Sequence, residues 1–265
     1  MTAAPFLRVD DVSRRFVTPE GVVTALEAVS FEMREGEFVS IVGPSGCGKS
    51  TLVMLVAGLL PPSAGRVTIN GRRVDRPQTD LGIVFQSPVL LAWRRALDNV
   101  LLQLEMRDVP TAPYRERARA LLASVGLEGF EQRYPHELSG GMRQRVALCR
   151  ALIHDPPLLL MDEPFGALDA LTRDQLALDL QRLWARGKKS VLLITHSITE
   201  AVLLSDRVIV MTPRPGRIDT IVGVDLPRPR RLALREDPRF GRYTGLIHER
   251  FVAHGVLRDL DEEEA

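Results

Sequence analysis

The residues Gly43-Pro44-Ser45-Gly46-Cys47-Gly48-Lys49-Ser50 fit the pattern G-x-x-x-x-G-K-[ST]. An apolar run, Phe38 to Val42, leads into them, and a helical pattern begins near Lys49. Glycines let the backbone wrap around a phosphate with its N–H groups turned inward. The start of the following helix adds the positive end of its dipole. Lys49 can reach the outer phosphates, and the Ser50 hydroxyl can ligate a divalent cation. Thr51 belongs to the same phosphate-binding group. A chance match arises on the order of 1% of the time in a chain of this length. Here the match also lies between a strand and a helix, as the chemistry requires.

The surrounding pattern is that of an α/β chain. Before the loop, Leu7-Arg8-Val9 and Val29 to Met33 read as strands. After it, Arg66 to Ile69 leads into Asn70-Gly71, a two-residue hairpin signal, because both turn positions need positive φ. From Ser87 to Ile153 the pattern turns helical, and Arg115 to Val125 places Ala118, Leu121, Leu122 and Val125 on one face. Three apolar runs follow, Leu158–Met161, Val191–Thr195 and Val208–Met211, separated by helical segments such as Leu171 to Arg186. Strands alternating with helices imply a mainly parallel sheet. Arg214-Pro215-Gly216-Arg217 reads as a type II turn. A helix is expected over Tyr243 to Val252, followed by an acidic tail.

Four runs end at residues suited to nucleotide chemistry. Phe38–Val42 runs into Gly43, Ile83-Val84-Phe85 into Gln86, Leu158–Met161 into Asp162-Glu163, and Val191–Thr195 into His196. Ligands of parallel sheets sit outside the carboxyl ends of the strands, so one cleft can gather all four. Leu158 to Glu163 has the form of a Walker B strand. Asp162 would enter a Mg²⁺ shell, and Glu163 could orient and deprotonate the attacking water. Taken alone, Gln86 could be a polar turn residue and His196 an incidental strand-end histidine. Together the motifs predict ATP, held with Mg²⁺ and hydrolysed.

Composition sets bounds on this reading. The chain has 265 residues, 45% apolar and 26% charged, with a formal net charge of +1. Nothing in that balance suggests a general attraction to nucleic acid or membrane. The longest apolar run, Leu52 to Leu60, is far short of the roughly 18 residues that span a bilayer. Met1 to Pro5 has neither a basic nor an apolar leader region, so no signal peptide is expected. Cys47 and Cys149 are the two cysteines; no disulfide is expected, and a reducing cytosol fits. Pro227-Arg228-Pro229-Arg230-Arg231 reads as a solvated turn, with lipid headgroups or a partner surface as the alternative.

Leu138-Ser139-Gly140-Gly141-Met142-Arg143-Gln144-Arg145 sharpens the reading. A Ser-Gly-Gly turn opening a helix is an anion site, or simply a helix start capped by Ser139. The whole string matches LSGG-x-x-QR, and the chain resembles the ATP-binding subunit of an ABC transporter. The resemblance covers nearly all of residues 5–225. Its landmarks stand in family order: Gly43–Ser50, Gln86, the signature, Asp162-Glu163, Ala167-Leu168-Asp169 and His196.

The resemblance implies roles that spacing does not. Phe16 matches the aromatic that stacks on adenine, where the family often has Tyr. Gln86 matches the residue that senses Mg²⁺ and the attacking water and links the site to the transporter. His196 matches the histidine that contacts the γ-phosphate, and Asp169 the loop that communicates across a dimer. Ser139, Gly140 and Gly141 would close over ATP held by a second subunit. The implied fold is a P-loop, RecA-like α/β core with a mainly parallel sheet, N-terminal antiparallel strands and an inserted helical subdomain. Its parts are residues 1–86 and 157–225 for the core, 87–156 for the helical subdomain, and 226–265 for a C-terminal extension.

A separate ATPase chain of this kind is typical of bacterial importers. Met142-Arg143, the stretch Met211 to Arg217 and the Pro-Arg segment from Pro227 resemble the nitrate/sulfonate/taurine branch. Leu90-Leu91-Ala92-Trp93 lies where that family receives the coupling helix of its membrane subunit, and Ala92 stands where the branch commonly has Pro. Leu90 and Trp93 could instead pack the helical subdomain. The implied partners are a second ATPase subunit, most simply an identical one, integral membrane permease subunits and, indirectly, a solute-binding protein. No nucleic acid partner is expected. The implied location is the cytoplasmic face of the inner membrane. The alternatives are a soluble ABC-type ATPase in a non-transport process and a module that uses ATP only to dimerise, against which intact Glu163 and His196 argue.

Overall fold

Continuous apolar runs become strands buried on both faces, and alternating runs become strands with one wet face. The computed structural model describes residues 4–187 and 189–257. In chain order its elements are β1 (Leu7–Thr18), β2 (Gly21–Met33), β3 (Phe38–Val42), α1 (Lys49–Val56), β4 (Ala64–Ile69), β5 (Arg72–Arg73), β6 (Gly82–Val84) and α2 (Ala96–Glu105). There follow α3 (Arg115–Ser124), α4 (Gly140–Leu152), β7 (Leu158–Asp162), α5 (Ala170–Gly187), β8 (Ser190–Ile194), α6 (Ile198–Leu204), β9 (Arg207–Met211), β10 (Ile218–Gly223) and α7 (Pro238–Ala253). They divide into two compact units: Met1–Thr79 with Ser190–Ala265, and Asp80–Lys189.

The first unit holds two sheets. One is antiparallel, in the order β2-β1-β4-β5. The long β1–β2 ladder breaks where Asp11 and Ala28 take φ of 53° and 51°. Two hydroxyls take over the amides that these bulges remove from the ladder. Ser30 Oγ accepts from the Asp11 N–H and Ser13 Oγ from the Ala28 N–H, each at 2.9 Å. Asn70 and Gly71 turn β4 into β5 with φ of 49° and 72°, as a type I′ hairpin demands. In the other sheet β3 lies parallel to both β8 and β9, and β10 is antiparallel to β9. All five residues of β3 are buried.

The C-terminal helix covers this second sheet. Phe240, Ile247 and Phe251 of α7 bury against Ala201, Val202 and Leu203 of α6 and against Val208, Val210 and Val222. The helix starts earlier than Tyr243: Asp237 caps it by accepting the Arg239 N–H at 2.8 Å, and Pro238 fills the first position. The acidic tail from residue 258 onward lies outside the described residues.

The arginine segment before α7 is no solvated turn. Arg230 is 3% exposed. Its guanidinium donates to the carbonyls of Val202 (2.9 Å), Ser205 (2.6 Å), Val224 (3.0 Å) and Leu226 (3.2 Å). Burial, and then the charge of Arg228, push its pKa down to about 10. The planar fork of donors satisfies carbonyls at the end of α6 and in the segment after β10 at once, which a point charge such as Lys could not do.

The type II turn expected at Arg214–Arg217 is also absent. Gly216 lies outside the positive-φ region that such a turn needs. It pairs instead with Leu26 of β2 in a parallel bridge. Its N–H donates to Ala25 O and its carbonyl accepts from the Glu27 N–H, both at 3.0 Å.

In the second unit β6 and β7 pair in parallel from Gly82↔Leu159 to Val84↔Met161. Three helices enclose the other core: Leu97 and Leu101 of α2, Ala118 and Leu122 of α3, and Val146 and Cys149 of α4. The expected stripe on α3 holds, with Leu121 only partly buried against this cluster. Residues 87–95, expected to be helical, form no helix. Cys47 and Cys149 are both buried thiols. Among the described residues no helix is long and apolar enough to cross a membrane.

Candidate nucleotide site

The phosphate loop leaves the buried end of β3 and enters α1. Gly46 and Gly48 take φ of 76° and 102°. A Cβ on Gly48 would stand 2.8 Å from Ala25 O and 2.7 Å from Leu26 Cδ2. Space as well as φ therefore demands glycine there. The Lys49 ammonium donates to Gly43 O at 2.8 Å and Pro44 O at 3.0 Å, so its charge sits inside the loop. Gly48, the residue capping α1, brings no side chain to the helix start, which leaves the backbone to receive an anion.

The loop has a support that sequence reading missed. A Cβ on Gly216 would come 2.0 Å from Cys47 O and 2.9 Å from Met211 Cε. Arg214 Nε donates to Gly46 O at 3.2 Å. The segment after β9 thus underpins the cradle, and only a backbone without Cβ can pass there. Its one sequence signal was the Pro-Gly pair, which the turn reading absorbed.

Register gathers the expected residues pairwise. Ile41 of β3 pairs with Ile194 of β8. Gly43 and His196 each follow two residues later, at the same end of adjacent parallel strands. In the second unit Val84 pairs with Met161, and Gln86 and Glu163 again follow two residues later. A Cβ built on Gly166 would lie 3.7 Å from Glu163 Oε2 and 3.8 Å from Gln86 Nε2, so both side chains flank one point. Glu163 turns the chain with φ 45° immediately after Asp162 ends β7. A left-handed φ on a residue other than glycine costs about 1–3 kcal/mol.

The signature turn opens α4. Ser139 caps the helix by accepting the Met142 N–H at 3.2 Å. Ser139 and Gly140 are exposed, whereas Gly141 is buried. A Cβ on Gly141 would meet Thr172 Cγ2 at 2.4 Å. The N–H of Thr172 is in turn held by Asp169 Oδ1 at 3.0 Å. Hydrogen bonds from Thr172 hold the Asp169 carboxyl below the ordinary carboxylate range. Signature and Asp169 loop therefore meet through one threonine.

Helix α4 also grips the segment after β6. Gln144 Nε2 donates to Phe85 O at 3.1 Å. Arg150, 8% exposed, donates to Pro88 O and Val89 O at 2.8 Å each. Burial pushes the Arg150 pKa down. Val89 is held at φ 44°, a rare conformation for a β-branched residue. Asn99, fully buried, accepts the Leu91 N–H at 2.8 Å and donates to Arg94 O at 2.9 Å. Sequence reading missed Arg150 and Asn99. The available signal was an arginine inside the apolar run Ala147 to Ala151.

These clamps separate the two apolar residues that could have shared a fate. Leu90 packs on the helical core, whereas Trp93 is 74% exposed. Phe16 is half-buried, with the Arg14 guanidinium 4.7 Å from its ring centroid, and so is no core aromatic. The proposed metal donors are an alcohol on Ser50, an amide oxygen on Gln86 and a carboxylate on Asp162. All are hard oxygen donors, and one carboxylate with substrate phosphates is what Mg²⁺ commonly takes.

A phosphate cradle between strand and helix, an acidic strand end and a serine-glycine signature helix define an ATP-binding cassette. The chain belongs to the ABC transporter family, which matches residues 26–166. Within it, the chain is an ATP-binding, ATP-hydrolysing subunit. It is 49% identical over 234 residues to a taurine import ATP-binding protein, TauB, of Rhizobium johnstonii, covering 88% of each chain. It is also 49% identical over 224 residues to an uncharacterized ABC transporter ATP-binding protein of Methanocaldococcus jannaschii, covering 84% of each. Among solved structures, a dimeric ATP-binding cassette in a post-hydrolysis state with ADP and Pi superposes with a TM-score of 0.74. That cassette is 32% identical, and the match covers 83% of this chain and all of the other.

Proposed function

We propose that this chain powers uptake of a small solute as the ATPase subunit of a membrane importer. The identity to TauB proteins over most of both chains carries the reading. The solute class is that of taurine, sulfonates, nitrate or related small organic solutes, and the membrane subunits select it. The chain acts as a peripheral protein at the cytoplasmic face of the membrane, in a pair of identical subunits that grips integral permease subunits. Residues 1–86 and 157–225 form the ATP-binding core, 87–156 the helical subdomain and 226–265 the extension.

In this reading Gly43–Thr51 hold the phosphates and Phe16 offers its ring to adenine. Ser50, Gln86 and Asp162 would hold Mg²⁺, which would supply charge that neutralises the phosphates. Glu163 orients and deprotonates the water, and His196 contacts the γ-phosphate. Most of the rate effect is positioning and charge stabilisation around that phosphate. Ser139, Gly140 and Gly141 of one subunit, with Asp169 beside them, close on ATP held by the other. The exposure of Ser139 and Gly140 supports a surface role for the signature, beyond helix capping.

The test uses the hydrolysis-deficient Glu163→Gln background. There ATP should convert the chain from monomer to dimer in light scattering. Adding Ser139→Arg should abolish that dimer while a fluorescent ATP analogue still binds. An ATP-dependent dimer in the double variant would overturn the composite site.

A further inference from the structure

The residues around His196 form a closed hydrogen-bonded ring that the proposed chemistry does not use. Thr195 ends the buried run of β8 and is 2% exposed, and its N–H donates to Ile41 O at 3.2 Å. Its hydroxyl donates to Glu200 Oε2 at 2.6 Å. The same hydroxyl accepts the Ser197 N–H at 3.0 Å. Ser197 Oγ then accepts the Glu200 N–H at 3.3 Å, capping α6.

This is a capping box with an extra member. In the ordinary form the glutamate three residues into the helix bonds directly to the capping residue's N–H. Here the glutamate is drawn inward, to 4% exposure, and is linked to that N–H through the Thr195 hydroxyl. A carboxylate buried for capping alone has no need of this detour, and burying it is costly. The detour ties the peptide unit that follows residue 196, through the Ser197 N–H, to the side chain of the residue that precedes it. His196 itself is exposed, the one side chain of residues 191–196 that leaves the core. Its backbone is thereby pinned to β8, to α6 and, through Ile41, to the strand that carries the phosphate loop.

We propose that Thr195 and Glu200 are positioning residues that aim His196 at the γ-phosphate of ATP. The proposal rests on the reading of His196 given above. Because reacting groups must be held to well under an ångström, loosening the ring should lower turnover rather than nucleotide affinity.

Turnover and KM for ATP are measured by phosphate release for the intact chain and five variants: Thr195→Val, Thr195→Ser, Glu200→Ala, Glu200→Gln and His196→Ala. Thr195→Val keeps the shape of the side chain and removes both hydrogen bonds. It should lower kcat roughly tenfold with KM within about twofold, and Thr195→Ser should restore it. Glu200→Ala should behave like Thr195→Val. Glu200→Gln, which keeps an acceptor oxygen, should lie near wild type. Should Glu200→Ala fail to fold, the contrast of Thr195→Val with Thr195→Ser decides. If His196→Ala is inactive while Thr195→Val and Glu200→Ala turn over normally, the positioning role is overturned and the His196 reading stands. If His196→Ala itself turns over normally, both fall. A parallel rise in KM with unchanged kcat would also overturn the proposal.

Discussion

The phosphate loop and the segment after Gln86 are both irregular stretches that follow buried strands, yet they are shaped in opposite ways. The loop is moulded by what is missing. Gly43, Gly48 and Gly216 each stand where a Cβ would collide with a neighbour within 3 Å. The segment 86–95 is moulded by what is added: Arg150 and Asn99 reach out from helices and hold its carbonyls, and Gln144 holds that of Phe85 just before it. A backbone-moulded site presents rows of N–H groups and suits a phosphate, whose shape does not vary. A side-chain-clamped segment can be released by giving up two or three hydrogen bonds, and suits a surface that must answer to a partner. The contrast predicts that damage to each region will have its own signature.

The largest effect should come from Glu163. Glu163→Gln preserves size and the turn after β7 but removes the proposed base, and general-base help is worth roughly 10²–10⁴ in rate. Hydrolysis should fall by that factor in a phosphate-release assay, with affinity for a fluorescent ATP analogue unchanged. Turnover near wild type would show that the residue merely ends a strand.

Next comes Gly216→Ala, aimed at the moulded loop. Its Cβ would meet Cys47 O at 2.0 Å, so the loop or the strand bridge must shift. Overpacking of this kind costs about 1–3 kcal/mol. Urea unfolding should show the loss, and ATP affinity should drop with it. Hydrogen exchange over residues 86–95 should not change. If ATP affinity survives while stability falls, Gly216 supports the sheet and not the cradle.

Arg150→Lys is the converse. A lysine has donors enough but lacks the planar fork whose two nitrogens reach Val89 O and Pro88 O separately, so it should hold the pair less well. The net loss should be about 1 kcal/mol, on the order of one hydrogen bond weakened or lost. Exchange at residues 86–95 should quicken, and ATP binding by the phosphate loop should stay as it was. An unchanged exchange pattern would mean that Val89 holds its left-handed conformation without the clamp.

The same contrast explains what could be read from the sequence. Glycine-moulded backbone leaves a short local pattern, so Gly43–Ser50 stood out at once. The strand-end rule then pointed to Gln86, Glu163 and His196, because within each unit parallel strands in register end at equivalent positions: Ile41 beside Ile194, Val84 beside Met161. Roles for Phe16, Asp169 and Ser139 came only with the family resemblance, since an aromatic, an aspartate and a capping serine each have ordinary structural uses. Clamps left no pattern at all. Arg150 lies far along the chain from the carbonyls it holds, and nothing local marks it except an odd charge in an apolar helix. Arg230 misled for the same reason. An arginine-rich stretch beside prolines looks solvated until the open carbonyls of α6 are known to need a donor.

The smallest expected effect on the fold is at Trp93, and its smallness is what makes it useful. A side chain 74% exposed contributes little to its own core, and surface changes usually stay within about 0.5 kcal/mol. Trp93→Ala should therefore leave the unfolding midpoint and the hydrolysis rate of the isolated chain where they were. Leu90→Ala, removing a residue that packs on the helical core, should not be so mild. If Trp93→Ala nonetheless weakens capture by membrane subunits in detergent pull-down, the clamped segment is a docking surface, and its tryptophan is displayed by Arg150 and Asn99 for that purpose. If capture is undiminished, the clamps serve the helical unit alone, and the contrast between moulded and clamped loops is one of construction without a difference in use.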